Sequence, residues 1–86
     1  MLYTADLVHE LNTLARFDLD TAQHGIKVHK SAEAEVIAAV KRLHAKGLTT
    51  QADGGYLTSL GREAAAHAQA MFGLLTAGVA ASVAVQ

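Results

Sequence analysis

Residues 48–61 read LTTQADGGYLTSLG. This stretch limits the fold more than any other, because it is the one place where a largely helical pattern breaks into strand chemistry. Asp53-Gly54 is among the strongest short-range signals for a type I′ hairpin turn, and the flanking LTTQ and YLT supply β-tolerant residues on each side. A β-hairpin is therefore expected here, with Gly54 at positive φ.

The remainder reads as helices. Thr4 is a suitable N-cap for a first helix over residues 5–16, with Tyr3 placed to staple onto Val8. Leu7, Leu11 and Leu14 recur at helical spacing, and Val8 and Ala15 widen the stripe expected to face the core. Asp18 or Asp20 then offers a cap for a short second helix reaching about His24 and ended by Gly25. Ser31 opens a third helix, with Glu33 and Glu35 in the first turn and Lys46 and Gly47 at the end, as the helix dipole prefers. Its core arc is Val36, Val40 and Leu43, with Ile37 and His44 on one shoulder; Ala34, Ala38, Lys41, Arg42 and Ala45 take the opposite face. Thr58 caps a fourth helix on which Leu60, Ala64, Ala68, Met71 and Leu75 recur.

At 86 residues the chain is one domain with a small core. Of its 44 hydrophobic residues 18 are alanine, so the packing stock is smaller than the hydrophobic fraction suggests. The absence of cysteine excludes disulfides and thiolate metal sites and fits a reducing compartment, and the N-terminus has no basic segment of the kind a secretory signal carries. A cytoplasmic location is expected. Residues 64–86 hold no Asp, Glu, Lys or Arg and are long enough to span a bilayer, yet nine are alanine and His67, Gln69, Thr76 and Ser82 interrupt them. That composition, without basic flanks, reads as an alanine-rich packing helix and against a membrane anchor. The domain is expected to cover residues 1–75, leaving 76–86 as an apolar tail that either extends the helix or is disordered.

The net charge of −1 is unevenly spread. Residues 1–26 set Asp6, Glu10, Asp18 and Asp20 against Arg16, for −3, whereas residues 27–46 set Lys27, Lys30, Lys41, Arg42 and Lys46 against Glu33 and Glu35, for +3. A local basic segment can meet phosphate even in an acidic chain.

Leu43 to Leu48, a Leu-x-x-Lys-Gly-Leu helix end, is followed by a glycine-bearing turn at Asp53 to Gly55 and by Leu-Thr-x-x-Gly at Leu57 to Gly61. Together these phrases resemble the recognition helix, wing and following helix of MarR- and PadR-type regulators. The stretches LVHELNTLARFDLDTAQHGIKVH and GGYLT are also similar to a small bacterial family of conserved hypothetical proteins described as DNA-binding. The resemblance implies a winged helix-turn-helix: mainly α, with three helices, a hairpin wing and a long C-terminal helix. It further implies transcription regulation, with the third helix at the major groove of duplex DNA and Lys27, Lys30, Ser31, Lys41, Arg42 and Lys46 as the contacting residues. The turn residues Ala52-Asp53-Gly54-Gly55 are short and acidic where a DNA-reaching wing carries Arg or Lys. The alanines on the third helix offer little base readout, since Ala can at most touch a thymine methyl. The alternative is a winged-helix interaction or dimerisation module without nucleic-acid binding. In either reading Leu60, Met71, Phe72, Leu74, Leu75 and Val79 exceed what one small core can absorb and are expected to form a homodimer interface.

The five histidines show no metal-binding spacing, and His44 and His67 read as partly buried packing residues. Ser31, Ser59 and Ser82 have no neighbouring acid-base motif, and Gly54-Gly55 lacks the spacing of a phosphate loop. No catalytic residue, metal site or cofactor is expected.

Overall fold

A computed structural model of the chain describes residues 2–21 and 24–85, with the side chains of the last helix described as far as Ala77. Thr4 begins α1 (Ala5–Leu14) as its sequence suggests, its Oγ1 accepting the Leu7 N–H at 3.2 Å. The expected leucine stripe does not face inward as a whole. Glu10, Thr13, Leu14 and Phe17 are buried, whereas Leu7, Val8 and Leu11 are exposed. A short helix against a small body buries one narrow edge, and here the edge is set by Glu10, which pairs with cations on the next helix. Tyr3 and Val8, the expected staple, both remain exposed.

The second helix expected before His24 is absent among the described residues; Ala22 and Gln23, within its span, lie outside them. Asp18 instead accepts the Asp20 N–H on Oδ1 at 2.9 Å, a local turn in which the side chain competes with helical bonding. The chain then extends into β1 (Ile26–Lys27), a strand the sequence pattern did not suggest.

The next helix, α2 (Ala34–Ala45), starts three residues later than Ser31. Ser31 lies in a turn closed by the Ala32 N–H on the His29 carbonyl at 3.0 Å, and Glu33 occupies the N-cap without a capping side-chain bond. The buried residues of α2 are Ala39, Val40 and Leu43; Val36 and Ile37 are half-buried and His44 is exposed.

β2 (Thr49–Gln51) and β3 (Gly54–Leu57) form the expected hairpin. β3 is the middle strand, antiparallel to both neighbours in the order β1-β3-β2, with Ile26 opposite Gly55 and Lys27 opposite Gly54. No described non-glycine residue has positive φ, so Asp53 does not adopt the backbone that a type I′ turn requires. The register between β2 and β3 shifts between Thr49 and Gln51, and the positive φ falls on Gly54 and Gly55. Gly54 (φ 124°) also lies so close to β1 that a Cβ would sit 2.6 Å from the Ile26 carbonyl oxygen.

α3 (Ser59–Val85) begins at Thr58, whose hydroxyl accepts the Gly61 N–H at 3.0 Å and donates to the Gly47 carbonyl at 2.6 Å. One side chain thus joins the end of α2 to the start of α3. Gly61 permits the contact, since a Cβ there would overlap the Leu48 carbonyl. Leu14, Leu43 and Ala65 form the centre of the core, with Leu19, Leu48, Leu57, Ala64 and Ala68 packed around them. Gln69 Nε2 donates to the carbonyls of Leu14 (3.2 Å) and Phe17 (2.8 Å), satisfying the end of α1 from across the core. The described structure is thus mainly helical, with three helices and a small three-stranded antiparallel sheet.

Candidate interaction surfaces

The cations expected to face a nucleic acid divide into two groups. Glu10, 5% exposed, accepts Arg42 Nε at 2.8 Å on one carboxylate oxygen and bonds Lys46 Nζ with the other. Arg42 also donates to the Asp6 carbonyl at 3.1 Å. Burial pushes the Glu10 carboxyl up, but hydrogen bonds from Lys46 and Arg42, with their charges, outweigh it and hold the group below the usual carboxylate range. Arg42 and Lys46 therefore fasten α2 to α1. Arg42, expected on the exposed face of its helix, is half-buried. The sequence carried a partial signal for this clamp: Glu10 stands about 40° from Leu14 on a helical wheel, just outside the edge of the apolar arc.

Lys27, Lys30 and Lys41 are exposed and have no carboxylate within 4 Å among the described ion pairs. Lys30 and Lys41 line one open groove of about 420 Å³, whose walls also include Val28, Ile37, Val40 and Asp53 from the hairpin turn. Lys27 borders a separate depression beside Gln51 and Tyr56. Of the expected contacts, Lys30 and Lys41 share this groove, and Ser31 lies in the turn leading to α2.

The apolar residues of α3 form the second surface. Leu60, Met71, Phe72, Leu74 and Leu75 are each more than half exposed. Val79 is on the same helix, but its side chain lies outside the described residues. At about 1.5 Å per residue, α3 is roughly 40 Å long, comparable with the 46 Å longest dimension of the molecule. Thr76 does not break the apolar band, because its hydroxyl donates back to the Phe72 carbonyl at 2.8 Å. Among the described residues no helix is long and apolar enough to cross a membrane.

The histidines form no cluster with acidic residues suited to a metal ion among the described residues. His44 and His67, expected to be partly buried, are both exposed, with His44 Nδ1 3.4 Å from the Thr49 carbonyl oxygen. The exposed apolar edge of α1 was not foreseen, since the spacing of Leu7, Leu11 and Leu14 is equally that of a core stripe.

No curated protein and no solved structure matches this chain. One family does match, over residues 1–76, and the chain therefore belongs to the family of unknown function DUF5669.

Proposed function

We propose that this protein is a small interaction module that associates with itself through α3. The observation carrying this reading is the exposure of Met71, Phe72, Leu74 and Leu75 (55%, 64%, 69% and 66%) on one uncharged stretch of helix. An apolar band wider than its own domain needs is ordinarily buried against a partner. Sedimentation equilibrium tests it. A concentration-dependent monomer–dimer equilibrium is expected for the intact chain, shifted to monomer by Phe72→Glu with Leu75→Glu. A monomer at every concentration overturns the reading.

Duplex DNA is the second reading, favoured by Lys30 and Lys41 sharing a groove without an ion-pair partner among the described residues, although Asp53 lines the same groove. In it the β2–β3 hairpin serves as a wing beside α2 and the fold is a variant of the winged helix, with β1 as the third strand. Arg42 and Lys46, held by Glu10, contribute less than the free lysines. Phosphate contacts position a protein on DNA without selecting sequence, so weak, sequence-tolerant binding is expected.

A further inference from the structure

Leu14 meets Ala65 within the core, and Ala68 packs against them. Leu7 stands seven residues before Leu14, and Phe72 and Leu75 stand seven after Ala65 and Ala68. A heptad step returns a helix to nearly the same edge, so one apolar edge of α1 and one of α3 both lead away from this junction. Along them burial is lost: Leu7 and Leu11 are 37% and 38% exposed, and Phe72 and Leu75 are more exposed still. Leu14 is covered where the helices meet, whereas Leu7 and Leu11 earlier on α1 and Phe72 and Leu75 later on α3 are not.

We propose that the outer edge of α1 and the distal half of α3 form a single interface, occupied by a second copy of this chain. The inference rests on the self-association reading and adds α1 to it. Area supports the addition. Met71, Phe72, Leu74 and Leu75 expose on the order of 400 Å² of side chain, about half of the roughly 800 Å² per partner typical of a stable interface. Leu7 and Leu11, with the exposed Leu2 and Tyr3 that lead into α1, supply a comparable amount. The occupant is a second copy because residues 64–86 carry no charge with which to select a foreign partner. Two identical apolar edges related by a two-fold axis are, in contrast, self-complementary.

The experiment compares full-length chains by sedimentation equilibrium. Leu7→Glu with Leu11→Glu is expected to weaken the dimer at least tenfold, as Phe72→Glu with Leu75→Glu does. A dimer broken by the α3 pair but unchanged by the α1 pair overturns the inference and leaves self-association through α3 standing. A monomeric intact chain overturns both. Should the glutamates unfold α1, Leu11→Cys gives a second readout, because the chain has no cysteine of its own. Alkylation of that thiol is expected to slow at least tenfold as protein concentration rises through the dimer dissociation constant, and a rate independent of concentration refutes the shared interface.

Discussion

Protonating Glu10 would leave Arg42 and Lys46 converging on a neutral group in a nearly dry seam between α1 and α2. The folded protein holds this carboxyl below its ordinary value of 4.5, so its stabilisation is fully present above that pH and is lost as pH falls through the lower folded value. Glu10→Gln is therefore expected to cost about 1–2 kcal/mol at neutral pH. The figure is lower than the ~3–5 kcal/mol of a fully buried pair, because both cations keep contact with solvent. The variant should also flatten the acid limb of stability below about pH 4.5, as read by urea titrations at several pH values. Gly54 is a second residue on which the fold depends. Its φ of 124° and the Ile26 carbonyl 2.6 Å from the position of a Cβ make Gly54→Val costly twice over. About 2–3 kcal/mol is expected, a fall in Tm on the order of 10 °C; an unchanged Tm would mean the hairpin does not pack against β1 as described.

Among the elements, α3 depends on its start more than on its length. Thr58 both caps the helix and holds the Gly47 carbonyl, so Thr58→Ala removes two hydrogen bonds that link α2, the hairpin and α3. A loss of about 1.5–2 kcal/mol is expected by thermal or chemical unfolding, above the ~1 kcal/mol typical of a cap. Deleting residues 73–86, by contrast, removes none of Leu14, Leu43 or Ala65. The shortened chain is expected to fold with a native circular dichroism spectrum while its dimer weakens or disappears. Loss of the fold on truncation would show that the distal half of α3 supports its own domain.

For the whole molecule, the two surfaces lead to separable behaviour. Association through apolar area should be little affected by salt, whereas phosphate binding releases counterions and should weaken as salt rises. With Lys27, Lys30 and Lys41 as the contacting cations, the slope of log K against log salt for duplex binding is expected near roughly −2.7 per protomer. Lys30→Glu with Lys41→Glu should abolish an electrophoretic shift at low salt while leaving the sedimentation of the dimer unchanged. Absence of any shift for the intact chain at low ionic strength refutes the DNA reading without touching the first.

Local chemistry made two helix starts and the place of the hairpin legible in the sequence, but not the start of α2, which Ser31 does not cap, nor the type of the turn. Thr4 and Thr58 cap the helices they precede, and the Asp-Gly-Gly run turns the hairpin, because each acts within a few residues of itself. What faces what was not legible there. Leu7, Leu11 and Leu14 share one periodicity, yet only Leu14 is covered; the difference lies in where α3 crosses α1, which spacing along one helix does not encode. The pairing of Glu10 with Arg42 and Lys46 joins residues more than thirty positions apart, and it turned two cations expected to face a partner into a fastening between helices. β1 is two residues long and exists because the edge of β3 was open to it. The caps at Thr4 and Thr58 are contests between a residue and its own backbone, and there sequence decided the outcome. Burial, charge pairing and strand addition are contests between distant segments for the same surface, and only the tertiary arrangement decides those.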